Sequence, residues 1–416
     1  MVMLSKLRRF DLVDDQNRRA KLNDLIVTVT DGDYPPVTHL LFYNNTKQLM
    51  ELPWAAVKGI NWRTHEINIR DLKGGKTASP EMLAEEVLLR RDIQDAMVLD
   101  LLNRRATRAN DLWLEERDGQ LQLRAADTSS RAVLRRLTRG LFGTRPSHAP
   151  YDWKYVEFLR GDPQAVARGA RYYTRIHRLP PGEIARLADA LPYLHAAELL
   201  TLLPDPIASD TLEAMSPERQ LQVFEELDED QALRLLALMA PDIATDLVGR
   251  LQSDTARRVL ERLPKKQGDR IIELLRYPED VVGGIMTNDV VCLPKKITVE
   301  EARRLLHHRL KEPDFVYLIY IVEDEESKRL CGMLSLRTLL IANDEQKLEK
   351  IMDPYVTTLN ALEPADAAAY RVINSHLAAL PVTGREGQLL GTVTVDAAVA
   401  RVAPPNWTAL APRVFS

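Results

Sequence analysis

One period constrains this chain more than any other feature: Leu179, Leu191, Leu203, Met215, Leu227, Met239, Leu251 and Leu263 stand 12 residues apart. A fixed period marks a repeat architecture. Proline follows most of these markers within two residues (Pro180, Pro192, Pro204, Pro217, Pro241, Pro264), and large apolar pairs such as Leu199-Leu200, Val223-Phe224 and Leu235-Leu236 recur later in each unit. Between marker and pair sits a small residue (Ala196, Ala208, Ala232, Ala244, Ala256, Gly268), which lets one helix approach the next. Each unit therefore reads as one short helix and a turn. Helices of about eight residues are unstable alone, because nucleation outweighs the few hydrogen bonds gained, so their apolar faces must be buried on neighbouring units. The spacing predicts a helical superhelix over 178–284.

At 416 residues the chain is long enough for about three domains. A net charge of -4 gives no overall argument for nucleic acid as a partner, and 28% charged with 45% apolar residues fits a water-soluble globular protein. The strongest apolar run, Phe315 to Val322, is far short of the roughly 20 residues a spanning helix needs, so the chain is not expected to cross a membrane. Met1 to Asp11 lacks the apolar stretch of a secretory signal. Cys292 and Cys331 form no CxxC pair, which points to a reducing cytoplasmic setting, with peripheral attachment at the inner face of the membrane as a variant. Nucleotide-loop, zinc-protease and nucleophile-elbow motifs are missing, so no catalysis is expected.

Two internal duplications divide the rest. Near the N-terminus, Asn17-Arg18-Arg19-Ala20 followed by Asn23-Asp24-Leu25 returns as Asn103-Arg104-Arg105-Ala106 followed by Asn110-Asp111-Leu112. Both copies contain β-rich stretches, such as Leu25 to Thr30 and Gln120 to Leu123, and read as two small β-barrel-like units. Leu52-Pro53-Trp54-Ala55-Ala56-Val57 resembles the turn signature of PRC-barrel domains, which implies docking on a partner more than chemistry. From 134 to 177 the chain reads as a basic linker. Arg131, Arg135 and Arg139 recur at four-residue steps with Leu134, Leu137 and Leu141 on another face. The arginines are candidates for contact with an anionic membrane surface or phosphates; the plainer reading is a solvated arginine face over a docked leucine face.

The second duplication follows the superhelix: Ile285-Met286-Thr287 recurs as Ile351-Met352-Asp353, and Gly332-Met333-Leu334-Ser335 as Gly391-Thr392-Val393-Thr394. Helix, apolar strand and charged hairpin lie between the matching points, an order that resembles a tandem pair of CBS domains. Arg276-Tyr277-Pro278-Glu279-Asp280-Val281-Val282-Gly283-Gly284-Ile285-Met286-Thr287 joins the helical units to that pair. This junction is similar to the cytosolic half of the MgtE family of magnesium channels, from about Arg178 to Ala403. The resemblance implies the sensing half of such a channel without the transmembrane domain, given an adaptor at its N-terminus.

The expected architecture is multidomain α+β. PRC-barrel-like units occupy 1–78 and 79–133, the linker 134–177, the MgtE N-terminal-like superhelix 178–284, CBS domains 285–349 and 350–403, and a tail 404–416. In that family the two cytosolic parts close together when Mg²⁺ screens opposed carboxylates. Magnesium keeps several waters and needs only one or two carboxylates per site, so acidic surfaces suffice. Candidates are Glu225, Glu226, Asp228, Glu229 and Asp230 in one patch and Glu279 and Asp280 at the junction. Acidic residues expected before Leu380-Pro381-Val382 are replaced by Asn374, Ser375 and His376.

CBS pairs commonly hold adenine nucleotides through a Ser or Thr near phosphate and an acidic residue three positions on. Ser335 with Arg337 and Thr394 with Asp396 mark the equivalent cleft, but Thr338 and Ala397 replace both ribose carboxylates, so nucleotide binding is not expected to be tight. Expected partners are a second copy through the CBS pair and a separately encoded membrane transporter or another protein. The alternative is an adaptor or assembly factor that docks on ribonucleoprotein or a membrane complex through the PRC-like pair.

Overall fold

The structure, a computed structural model, describes all residues except 30–31, 80–82, 84–85, 139–148, 162–174, 311–315, 317 and 404–416. It divides into two compact units, Met1–Gln231 and Ala232–Ser416.

The N-terminal unit opens with β1 (Val2–Met3), α1 (Leu4–Leu7), β2 (Asp11–Val13), β3 (Arg19–Val27), β4 (Val37–Tyr43), β5 (Leu49–Pro53), β6 (Val57–Asn61), β7 (Glu66–Ile69) and β8 (Lys76–Thr77). The second copy supplies β9 (Val87–Leu88), β10 (Met97–Asp100), β11 (Arg105–Arg108), β12 (Asp111–Arg117), β13 (Gln120–Asp127), α2 (Ser130–Leu137), β14 (Tyr151–Asp152) and β15 (Val156–Leu159). The strands form three sheets, ordered β6-β7-β2-β3-β4-β5-β8 with β9 on β3, β1-β12-β13-β14, and β11-β10-β15.

Each copy lends its first strand to the other. β1 pairs with β12 through Val2–Leu114 and Met3–Trp113, while β9 pairs with β3 through Leu88–Ile26 and Val87–Val27. The exchange merges both copies into one core, in which Leu4, Leu7, Phe10, Leu25 and Leu40 lie with Leu112, Leu121, Leu123 and Phe158. The expectation of two barrel units is therefore corrected: among the described residues no strand set closes into a barrel, because the lead-in strand that would close one copy is spent on the other. β14 and β15 carry the second copy beyond 133, into what reads from sequence as linker. Trp153-Lys154-Tyr155-Val156 there repeats Trp54-Ala55-Ala56-Val57, each Trp opening a short 3₁₀ turn and each buried.

Two duplicated aspartates fix the exchange. Asp24, almost fully buried, accepts the backbone N–H groups of Leu25 (2.8 Å), Arg90 (2.9 Å) and Arg91 (3.2 Å). Asp111 accepts those of Leu112 (2.9 Å) and Ser5 (3.2 Å), and the Ser5 hydroxyl at 2.5 Å. Both thus hold the segment arriving from the other copy, and burial pushes both carboxyls above their usual pKa.

The helical repeat comprises α3 (Pro181–Asp189), α4 (Tyr193–Leu202), α5 (Asp205–Glu213), α6 (Pro217–Glu226), α7 (Glu229–Leu238), α8 (Pro241–Arg250), α9 (Ser253–Arg262) and α10 (Lys265–Leu274). The division between the two compact units falls inside α7. Prolines stand at the start of all but α7 and α9, because the first turn has no N–H to lose. The marker residues from Leu191 to Leu263 are all buried at the helix ends, and Ala196, Ala208 and Ala244 are fully buried at the close contacts. Helices pack on the second one along, α3 on α5, α4 on α6 and α8 on α10. The third residue of a helix reaches the end of the helix three units earlier. Arg219 in α6 donates to the Ala188 (3.0 Å) and Leu191 carbonyls, spanning 31 and 28 residues, and Gln267 in α10 donates to Leu236 (3.5 Å) and Met239 (2.9 Å) at the same two separations. Gln231 in α7 likewise meets Thr201 in α4.

The first CBS domain contains β16 (Cys292–Pro294), α11 (Val299–Arg309), β17 (Leu318–Val322), β18 (Leu330–Ser335) and α12 (Leu336–Ile341). After the short α13 (Leu348–Ile351), the second contains β19 (Leu359–Asn360), α14 (Ala365–Asn374), β20 (Ala379–Thr383), β21 (Leu389–Thr394) and α15 (Val395–Val402). In each sheet the first two strands are parallel and the last two antiparallel. Lead-in segments are exchanged here as well. Thr287, ahead of the first domain, exchanges backbone hydrogen bonds with Thr392 in β21 (both 2.9 Å), while Asp353, ahead of the second, does so with Met333 in β18 (2.9 and 2.8 Å). Gly332 and Gly391 make the exchange feasible. A Cβ on Gly332 would lie 2.7 Å from the Asp353 carbonyl oxygen, and one on Gly391 would collide with that of Thr287.

Candidate site at the junction of the helical repeat and the CBS pair

Within the second unit, α8 places Asp242 and Asp246 one turn apart, so their carboxylates share a helix face and repel. Asp242 takes a hydrogen bond from the Thr287 side chain, and burial pushes it above the ordinary carboxylate range, with the charge of Asp289 adding. Asp246 is lifted to about 6, by desolvation first, with the Asp242 and Glu279 charges adding and Arg250 opposing. Asp289 is neutralised by Arg270 at 2.8 Å. Beside it Asn288 donates to the Arg270 carbonyl (3.1 Å) and Glu273 (3.2 Å), leaving its own Oδ1 buried without a protein donor. The arrangement offers oxygen atoms with excess negative charge, the donor chemistry a hard, hydrated divalent cation takes. Among the described residues no three His, Cys, Asp or Glu side chains converge as a closed metal cage.

The junction itself is built around two glycines. Gly283 leaves room for the Tyr277 ring and Gly284 for the Pro278 carbonyl, so the chain can fold back on itself after α10. Val282 and Gly283 then donate to Glu363 and Ala361 (both 2.9 Å), which ties the turn to the second CBS domain. Of the candidates read from sequence, Glu279 and Asp280 are both exposed; Glu279 adds its charge to this acidic face, whereas Asp280 contributes its carbonyl to Ala365 N–H at 2.9 Å. Glu225, Glu226, Asp228, Glu229 and Asp230 lie at the end of the first unit, where Asp228 caps α7 by accepting the Gln231 N–H at 2.9 Å. Asp242 and Asp246 escaped the sequence reading; their four-residue spacing on a repeat helix was the available signal.

In the CBS pair, Ser335 and Thr394 act as matched helix caps, accepting the Thr338 N–H at 3.0 Å and the Ala397 N–H at 3.2 Å. Arg337 and Asp396 stand exposed on the first turns that follow. His376 sits at φ 58° just after α14, where Ser375 bonds the helix end, so Asn374-Ser375-His376 makes a helix stop.

The arginine stripe is corrected. Arg135 is buried between Asp127 (2.7 Å) and Asp111 (3.7 Å), and Arg136 pairs with Asp95 (2.6 Å). Leu134 and Leu137 are instead exposed, at 48% and 77%. The helix docks through its arginines because buried aspartates of the β core need countercharge. Arg131 is exposed, and Arg139 lies outside the described residues.

Residues 179–280 match the MgtE intracellular N domain, and 282–345 and 348–403 match CBS domains. The magnesium transporter MgtE of Thermus thermophilus is 32% identical over 224 residues, which is 53% of this chain and 49% of the transporter. That of Enterococcus faecalis is 31% identical over 124 residues, 30% of this chain and 27% of its own. The chain thus spans about half the length, or less, of these curated relatives. The crystal structure of the cytosolic domain of the Mg²⁺ channel MgtE in complex with ATP covers 58% of this chain and 96% of its own, at 29% identity and a TM-score of 0.52. That ATP complex gives no support to the expectation that the nucleotide is bound poorly. No helix among the described residues is long and apolar enough to cross a membrane. Residues 179–403 are therefore an MgtE intracellular N domain followed by a CBS pair, homologous to the cytosolic domain of MgtE.

Proposed function

We propose that this protein is a non-catalytic regulator of magnesium transport that senses divalent cation, Mg²⁺ above all, by closure of its helical domain on its CBS pair. The observation that carries the reading is the strained acidic face of Asp242, Asp246 and Glu279 beside the segment leading into the first CBS domain. A hydrated Mg²⁺ there offsets both the desolvation that does most to lift Asp246 to about 6 and the repulsion from Asp242 and Glu279 that adds to it. A Kd of about 1 mM needs only about 4 kcal/mol per site, within reach of partly hydrated ions held by two carboxylates. Asp280 and the patch from Glu225 to Asp230 serve as outer acidic surfaces.

In this reading a second copy associates through the CBS pair, and a separately encoded membrane transporter or another protein receives the signal. Adenine nucleotide in the CBS cleft, near Ser335, Arg337, Thr394 and Asp396, is a second input, supported by the ATP complex of the homologous domain.

The test is calorimetric titration of the full chain with MgCl₂, with CaCl₂ as comparator and small-angle scattering at each concentration. Saturable millimolar binding with compaction, lost in D242N/D246N, is expected. Equal behaviour of wild type and D242N/D246N removes this face from the sensor, and no compaction in either removes the closure.

A further inference from the structure

We propose that Glu157 and Glu198 form a charge-sensitive joint that fixes the β region onto the first helices of the repeat. Glu157, in β15 and 6% exposed, accepts the backbone N–H of Arg175, at the entry to the 3₁₀ turn Ile176–Arg178 that leads into α3. Glu198, in α4 and fully buried, accepts the Arg160 N–H at 2.9 Å and the Gly161 N–H at 2.5 Å, where β15 ends. One carboxylate from the strand and one from the helix thus hold the two ends of the connection between β region and repeat.

The fit continues around this pair. Gly161 has φ +77°, and a Cβ there would lie 2.9 Å from the His195 ring, so the strand end rests directly on α4. His195 occupies the third position of its helix, the position from which Arg219 and Gln267 reach the helix three units back. Among the described residues no repeat helix precedes α3, and the end of β15 rests on α4 in that place. Glu183, at the third position of α3, is likewise paired with Arg104 from the second β copy. The β region is thereby the terminal cap that a helical solenoid requires to cover its first apolar and polar groups.

Several charged groups among the described residues face the joint. Arg175 and Arg178 face Glu157, His195 faces Glu198, Arg108 faces His195, and the Arg160 guanidinium lies 3.6 Å from Asp92. Burial lifts Glu157 to about 7, with the Arg175 N–H and the charges of Arg175 and Arg178 opposing. A carboxyl whose pKa is raised in the joined state binds its proton more tightly there, so the joint is tight when Glu157 is protonated and loosens as pH rises through that value. Burial lowers His195 below its ordinary value, so above pH 6.5 it is neutral and adds no slope.

Hydrogen exchange of the full chain, corrected for intrinsic rates, reads the joint directly. Protection of the Arg160, Gly161 and Arg175 amides should fall about fourfold from pH 6.5 to pH 8, while the β3–β4 amides do not follow. E157Q should flatten that profile, and E198Q should lower protection at Arg160 and Gly161 at both pH values. The wild-type series needs no variant to fold: a flat profile overturns the proposal, as does a slope that survives in E157Q.

Discussion

The β region and the CBS pair solve the same problem in opposite ways. Each is a duplication whose copies trade lead-in segments, which joins two small folds into one core that neither copy has alone. In the β region the traded segments are held by something added, the buried carboxylates of Asp24 and Asp111, each taking three donors. In the CBS pair they are held by something missing, the side chains of Gly332 and Gly391, whose absence lets two backbones meet. An acceptor lock is directional but carries charge into the interior and answers to pH. A steric lock is indifferent to pH and salt, and it fails on the addition of a single carbon.

The comparison breaks most severely at Asp111. Asp111→Ala leaves the Ser5 groups and the Leu112 N–H unsatisfied and removes one of two carboxylates near buried Arg135, at a cost of about 4 kcal/mol. Calorimetry should find this loss in the β-region transition, with the CBS transition unmoved. Gly391→Ala should cost about 3 kcal/mol, because backbone rather than a flexible side chain blocks the new Cβ, and here the CBS transition should move alone. Gly332→Ala should cost about 2 kcal/mol, since the Met352 sulfur at 2.8 Å can yield although the Asp353 carbonyl cannot. Equal losses at the two glycines would mean that their surroundings relax alike.

The smallest effect is the slope with pH. Asp24 and Asp111 are raised by burial, so their contribution is greatest in acid and declines as pH climbs above about 4 through their raised values. Glu323 and Asp324 in the first CBS domain are lowered, by Lys295 and by the Ser327 N–H respectively, so their contribution appears above about pH 4 and is lost in acid. Region-resolved hydrogen exchange at pH 3.5 and 7 should therefore give slopes of opposite sign, and slopes of one sign would refute this assignment of the carboxyls in the two regions.

The repeat, the CBS pair and both duplications were legible in the sequence because each leaves a period or a repeated word. The exchange of lead-in strands was not, since Val2-Met3 and Val87-Leu88 are too short to announce a partner, and pairing 60 to 112 residues away leaves no local trace. Trp153 was readable as the counterpart of Trp54, but it stands beyond a polar stretch that looked like linker. The arginines of α2 misled for a different reason: periodicity reports which residues share a face, while the direction of that face depends on buried Asp111 and Asp127, contributed from elsewhere. At the junction Glu279 stood in a recognisable motif, whereas Asp242 and Asp246 draw their character from neighbours that folding brings beside them, Thr287 and Asp289 for the first and Glu279 for the second, which spacing alone does not reveal.

The bonds that run 28 and 31 residues from Arg219 and from Gln267 give the helical region a grammar for changes of length. Each acceptor is the main-chain carbonyl at the same place in its unit, so removing one whole 12-residue unit would still leave each donor opposite an equivalent acceptor, whereas removing a fraction of a unit would part them. Viable insertions and deletions in this region should therefore come in whole units of 12, a rule written in polar side chains beneath the more conspicuous apolar beat.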